Sequence, residues 1–165
     1  MHNALNLPVV EQVISAQPFV VRRRVIWGET DAAGVVYTNR YIDYTASANM
    51  LFMAHALGVG AGEGKSLTLT QAKKLHGIGT PCKALSAVFH ASLRCDELFD
   101  MQVQVARIGN TTFELLVMGR TPEGAPVFEG RNTIITIAHS DENMGRKAMR
   151  VPDSVRQALE PYLQA

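Results

Sequence analysis

One short stretch of this chain gathers side chains that could do chemistry. Glu29, Thr30 and Asp31 precede the small residues Ala32, Ala33 and Gly34, and Tyr37, Thr38, Asn39 and Tyr41 follow after Val35 and Val36. A carboxylate such as Asp31 in a loop can act as general base or nucleophile. An Asp followed by Ala-Ala-Gly can equally cap a turn ahead of a helix. Glu29 invites a paired-carboxylate reading but is expected to be solvated. Tyr37, Asn39 and Tyr41 either line a pocket or pack and cap the following helix, and Trp27 reads as core. Elsewhere the chemistry is sparse. His2, His55, His76, His90 and His139 are not spaced with one another or with Cys as metal ligands would be, so no metal is expected and each reads as structural or exposed. Cys82 and Cys95 show neither a pairing pattern nor a metal-like spacing and read as inert thiols of a reducing compartment.

The elements that must position Asp31 are legible in the periodicity. Residues 1–18 contain Pro8 and Pro18 and no sustained period, and are expected to form an arm ahead of a single domain over 19–165. Phe19 to Trp27 reads as a strand that breaks at Gly28, with Arg22, Arg23 and Arg24 divided between its two faces. From about Asn39 to Leu57 the chain has no Gly or Pro and is apolar nearly all round, which predicts a buried helix. Gly58, Gly60, Gly62 and Gly64 end it without the spacing of a phosphate-binding loop. A short helix over about Thr70–Leu75 closes near Gly77.

From Pro81 the period becomes two. Leu85, Ala87, Phe89, Ala91 and Leu93 share one face, then Phe99, Met101, Val103 and Val105, then Phe113, Leu115 and Val117, with a last strand from about Val127 to Ala138. Short connections at Gly109-Asn110 and Pro122-Glu123-Gly124 make the pairing antiparallel. Pro152 to Glu160 predicts a terminal helix. A helix apolar all round must be enclosed, and only a curved sheet is large enough to enclose it, so the expected class is α+β with an antiparallel sheet wrapped around a long central helix.

At 165 residues and 47% apolar content the chain has the length of one ordinary domain with one core. Its formal net charge of +1 gives no field that would draw it to nucleic acid or an anionic membrane, so neither is an expected partner. The first twenty residues lack a basic region followed by a continuous apolar one, and no later apolar run approaches the roughly 20 residues that span a bilayer. A cytoplasmic address is the expectation.

The stretch Trp27-Gly28-Glu29-Thr30-Asp31-Ala32-Ala33-Gly34-Val35-Val36-Tyr37-Thr38-Asn39-Arg40-Tyr41 resembles the signature of the 4-hydroxybenzoyl-CoA thioesterase family of hotdog-fold proteins. That signature is an aromatic, a small or acidic pair, Thr or Cys, Asp, two small residues, Gly, two apolar residues and an aromatic-rich helix start ending in Tyr. Gly79-Thr80-Pro81 and Cys95-Asp96-Glu97-Leu98 extend the resemblance, which spans roughly residues 20 to 140. It implies a hotdog fold and hydrolysis of an acyl-CoA, with Asp31 attacking the thioester carbonyl or activating a water. It also implies that the Thr38 backbone N–H at the helix start is the oxyanion donor, in keeping with the unpaired N–H groups and partial positive charge found there. Gly34 allows a sharp turn beside the acyl group, and Tyr37, Asn39, Tyr41, Gly79 and Thr80 are the candidate substrate-binding residues. Coenzyme A enters as part of the substrate, no cofactor is implied, and the family places its sites at the interface of a homodimer or homotetramer.

Two departures accompany the resemblance. Many relatives carry His or Tyr where this chain has Thr38, and some have a basic cluster where it has Ile108-Gly109-Asn110-Thr111-Thr112. The CoA phosphates would then turn to Arg107, Lys73 or Lys74. The rival readings are a hotdog hydratase or dehydratase, which needs a His near the carboxylate, and a non-catalytic acyl-CoA-binding protein.

Overall fold

In the computed structural model, residues 9–58, 68–139 and 147–164 are described. Alternating side chains set the faces of the strands. In β2 (Phe19–Arg24), Phe19 and Val21 are wholly buried. On the opposite face the Arg22 guanidinium grips Asp100 with two bonds of 2.7 and 2.8 Å. The next two residues also hold carboxylates, Arg23 those of Glu11 and Glu29, and Arg24 that of Asp96. The basic run is therefore part of a strand divided between two faces, as its spacing predicts.

The strands β4 (Cys82–Phe89), β5 (Leu98–Ile108), β6 (Thr112–Arg120) and β7 (Pro126–Ile135) follow the period of two. With β2, and with β1 (Glu11–Ala16) beyond it, they form a six-stranded antiparallel sheet in the order β1-β2-β5-β6-β7-β4. Three residue ranges differ from expectation. Glu11–Ala16 falls in the expected arm but is hydrogen-bonded along β2. It is an edge strand whose Val13 and Ile14 are both exposed, so no period marks it. Residues 90–93 do not continue β4, and β4 itself is open: only Leu85 and Ala87 are half-buried, and among the described residues no strand lies beyond it. The last expected strand is interrupted after Ile135, and β8 (Ile137–Ala138) turns to pair with β3 (Ile78–Gly79).

Helix α1 (Arg40–Gly58) lies against the concave side of the sheet. Tyr41, Tyr44, Ala48, Phe52 and Ala56 are buried, with Phe99, Leu115 and Phe128 filling the core beneath them. The enclosure expected of a helix apolar all round is not complete, since Met50 is 50% exposed. The sheet covers one side, and α2 and α3 also pack against the helix. Helix α2 (Leu69–Leu75) starts with Thr68 and Gln71 capping one another and stops at Gly77, whose φ of +64° suits a residue without Cβ. Its glycine-rich approach, including Gly60, Gly62 and Gly64, lies outside the described residues. Helix α3 (Asp153–Leu159) buries Val155 and Leu159 against the core. Among the described residues no helix is long and apolar enough to cross a membrane.

Helix and sheet touch most closely where α1 crosses β7. A Cβ on Gly130 would lie 2.1 Å from Thr45 Oγ1 and 2.9 Å from Thr45 Cβ, so the contact requires glycine. Gly130→Ala should cost about 1–3 kcal/mol through forced repacking. Urea denaturation should show this as a lowered midpoint with unchanged slope, and Thr45→Ala in the same chain should recover part of the loss.

Candidate active site

The Asp31 loop is built by its own backbone. The Asp31 N–H donates to the Val35 carbonyl at 2.8 Å and the Gly34 N–H to the Asp31 carbonyl at 2.9 Å. Gly34 closes this turn with φ +76°, where a side chain would be strained although the space around it is open. The Asp31 carboxylate is half committed. Its Oδ1 accepts from Ala33 N–H at 2.8 Å and Val35 N–H at 3.3 Å, while its Oδ2 accepts nothing among the described residues. The turn-capping and chemical readings of this Asp are thus compatible, one oxygen serving each.

The same backbone brings the helix start alongside. Thr30 bridges Val36, and the Tyr37 N–H donates to the Glu29 carbonyl at 3.0 Å, so Thr38 stands two residues beyond the partner of the Asp31 loop. The first bonds of the helix run from Arg40 N–H to Tyr37 C=O and from Ile42 N–H to Asn39 C=O. The Thr38 N–H donates to no acceptor among the described residues, as expected of the first turn of a helix. Thr38 borders an open depression of about 390 Å³ with Val35, Val36 and Tyr41 on one side and Phe89 to Ser92 on the other.

Tyr41 resolves as both wall and strut. It is 4% exposed, its ring meets Phe89 edge-on at 5.2 Å, and its hydroxyl accepts the Leu93 N–H at 3.2 Å. Burial pushes its phenol pKa up, so it is neutral at ordinary pH. Tyr37, Thr38 and Asn39 are exposed around the helix start. Gly79 and Thr80 are not brought to this depression. Gly79 lies in β3, where a Cβ would stand 2.8 Å from Ile137 Cγ1. The proposed phosphate contacts are distant within the chain. Lys73 and Lys74 lie on α2, beside the far end of α1, where His76 Nε2 meets the Leu57 carbonyl at 3.0 Å, roughly 25 Å of helix from Thr38. Arg107 lies near the far end of β5. Arg94 is the cation that backbone pairing sets beside the loop, through its bridge to Val35.

Two expectations are corrected. Trp27 is 83% exposed, because the strand ends at Arg24 and residues 27–29 form a 3-10 turn that swings the indole outward. Glu29 is 6% exposed and far from solvated. Its carboxylate holds Arg23, accepts the Ile26 N–H at 3.0 Å and accepts the Tyr44 hydroxyl at 2.8 Å. Arg23 also stacks 4.7 Å over the Tyr44 ring and reaches Glu11, which in turn accepts from Ser47. Burial alone pushes the Glu29 carboxyl up, but the bonds from Ile26, Arg23 and Tyr44 outweigh it and hold its pKa below the usual carboxylate range. Burial and the neighbouring Glu29 carboxylate push the Tyr44 phenol up. The sequence also conceals that His90 and Ser92 border the site, since only the end of β4 brings them opposite Thr38.

A family model described as the thioesterase-like superfamily matches residues 25–159. The chain belongs to that superfamily. Its fold matches a gentisyl-coenzyme A thioesterase at TM-score 0.66 and 21% identity, covering 86% of this chain and 98% of that one. A 1,4-dihydroxy-2-naphthoyl-CoA thioesterase from Synechocystis matches at 0.68 and 19%, covering 86% and 94%. A thioesterase-superfamily protein from Jannaschia sp. CCS1 matches at 0.71 and 23%, covering 89% and 94%. At these identities the likeness establishes the hotdog fold. A comparison with curated protein sequences finds no significant match.

The Glu29 network carries a pH signature. A carboxyl whose folded pKa is depressed contributes stability above its unfolded pKa and loses it as pH falls through the folded value. Glu29→Gln should therefore cost about 3 kcal/mol at neutral pH, the scale for breaking a buried pair. The gap between wild type and variant in urea midpoints should shrink as pH falls below the carboxylate range.

Proposed function

We propose that this protein hydrolyses an acyl-CoA to free acid and CoA, with Asp31 as nucleophile or general base and the Thr38 N–H as oxyanion donor. The observation that carries the reading is an unpaired helix-start N–H on the rim of an open depression, with an uncommitted carboxylate oxygen in the loop joined to that rim through Val35. A thioester is a reactive acyl donor, so one carboxylate and one donor suffice in principle. The helix dipole favours negative charge at the Thr38 end, where the carbonyl oxygen becomes anionic. Coenzyme A is substrate, and the mechanism calls on no cofactor. Two proteins of like fold are named for aromatic acyl-CoA substrates, in line with an aromatic or short to medium acyl group here.

The site belongs to an oligomer in this reading. Among the described residues the outer edge of β4 has no partner strand, and it exposes Val88 at 56% and Phe89 at 46% beside the depression, a surface suited to a second copy. A homodimer, alone or paired into a tetramer, would cover it and complete the site. The reading also keeps the protein in the cytoplasm, away from nucleic acid and membrane. One observation favours a second reading. His90 borders the same depression as Thr38, which supplies the imidazole that a hydratase or dehydratase would need.

Three measurements test this. Hydrolysis of an acyl-CoA panel, followed with a thiol reagent, should be detected, while hydration of enoyl-CoA without CoA release would transfer the assignment to the second reading. Asp31→Asn should lower kcat by about a hundredfold or more while substrate still binds, and near wild-type turnover would remove Asp31 from the mechanism. Thr38→Ala should keep most activity, whereas a natively folded Thr38→Pro, which lacks the N–H, should lose about 10²–10³ in kcat.

A further inference from the structure

The two walls of the depression at the helix start differ in what their side chains are committed to. Thr38 and Tyr41 come from the approach to α1 and its first turn, and His90, Ala91 and Ser92 come from the end of β4 on the other side. The Val127 carbonyl accepts the His90 N–H at 2.8 Å and the Ala91 N–H at 3.1 Å, so β7 anchors the backbone of this second wall. The His90 side chain has no such tie. It is exposed, and among the described residues its imidazole makes no hydrogen bond, ion pair or ring contact.

Release of CoA needs a group that Asp31 and the Thr38 N–H do not supply. When Asp31 adds to the thioester carbonyl, the tetrahedral adduct can expel either the carboxylate or the sulfur. A carboxyl of the aspartate type has a pKa of about 3.9 and a thiol of the cysteine type about 8.5, so the carboxylate leaves more readily by several powers of ten and the adduct returns to substrate. A proton delivered to the sulfur reverses that preference. Thr38, Tyr41, His90 and Ser92 are the lining residues whose side chains carry N or O. Burial pushes the Tyr41 phenol above its ordinary value, which makes it a poorer acid, and the aliphatic hydroxyls of Thr38 and Ser92 are weaker acids still. Histidine is the side-chain type suited to giving a proton near neutral pH.

We propose that His90 is the general acid of thioester cleavage, giving its proton to the CoA sulfur as the C–S bond breaks. The electron pair of that bond goes to sulfur, the proton comes from the imidazolium, and CoA leaves as the thiol with neutral His90 left behind. The acyl group remains on Asp31 as an anhydride for water to cleave, or leaves as the acid where water has attacked. Solvent then restores the proton, since His90 is exposed. The titratable groups facing His90 are Tyr41 of α1, Asp31 in the loop joined through Val35, and Arg94, which bridges Val35. Asp96, Glu97 and Glu123 surround an adjoining hollow that shares Ala91 and Ser92 with the depression, and β7 meets His90 through Val127. This inference rests on the hydrolase reading and gives His90 a step within hydrolysis, not hydration.

The test varies the leaving group while the acyl group stays constant. Benzoyl-CoA and octanoyl-CoA carry an alkyl thiol, whereas the S-(p-nitrophenyl) thioesters of the same two acids release an aryl thiolate that needs no proton. For whichever CoA ester the wild type hydrolyses, His90→Gln should lower kcat/KM by about a hundredfold or more, and for the matching aryl thioester by no more than about threefold. The wild-type kcat/KM profile with the CoA ester should fall on its alkaline side and the variant's should not, because an acid must be protonated to act. His90→Ala reads the same pattern should the glutamine variant fail to fold. Equal losses on both kinds of ester, CoA-ester turnover within about threefold of wild type, or an alkaline limb that persists in the variant overturns the role of His90 while leaving acyl-CoA hydrolysis standing. Absence of hydrolysis with every acyl-CoA overturns both.

Discussion

Glu29 sits where three parts of the molecule meet. Its side chain binds the guanidinium of β2, a backbone N–H of the turn and a hydroxyl of α1, and its own carbonyl receives the N–H of Tyr37. A buried carboxylate is tolerated only when donors surround it. That constraint holds the turn two residues before Asp31 in register with the approach to the helix that begins at Arg40. The relative position of a carboxylate oxygen and a helix-start N–H therefore follows from a charge that must not be left unpaired. Arg23 extends the same requirement to Glu11, so the outermost strand is joined electrostatically to the network behind the site.

Around this fixed point the remaining architecture is a matter of approach distances. Thr45 and Gly130 let α1 lie close on the sheet, and Tyr41 rests between Phe89 and Phe128 while holding the Leu93 backbone. These contacts fix Tyr41, which lines one wall of the depression. The other wall, the end of β4, is paired with β7 on one side, and among the described residues no strand pairs with its outer edge. Rigidity on the helix side and openness on the strand side suit a site in which the catalytic groups are preorganised and a second surface completes the enclosure.

Asp31 shows how one side chain satisfies two demands. Its Oδ1 holds the turn together through Ala33 and Val35, which fixes the orientation of the carboxylate and leaves Oδ2 directed elsewhere. A rotating carboxylate would lose entropy when it met a substrate, whereas one already anchored at one oxygen has lost it in folding. The exposed Trp27 and the buried Glu29 flank this loop in the reverse of the order that their side-chain chemistry suggests. An alternating strand would place both on one face, but the 3-10 turn at 27–29 breaks the alternation and turns them apart.

The sequence by itself determined the elements with strong period: α1, the short helix closed at Gly77, the strands β5 to β7 with their buried faces, and the motif that places an Asp before a helix. Those signals are local, since a buried face must be apolar at the spacing of its own backbone. Tertiary structure alone decided the rest. An edge strand exposed on both faces has no alternation to read, which hid β1. The partner of Glu29 lies six residues back in Arg23 and fifteen ahead in Tyr44, and no spacing rule links such positions. His90 joins the site only because the sheet order brings the end of β4 beside the start of α1. Asn49 appears in the sequence as one of several polar residues in α1, and only the folded chain shows its amide buried without a partner among the described residues. Local patterns specify which face is buried; which buried groups meet depends on how the elements pack in three dimensions.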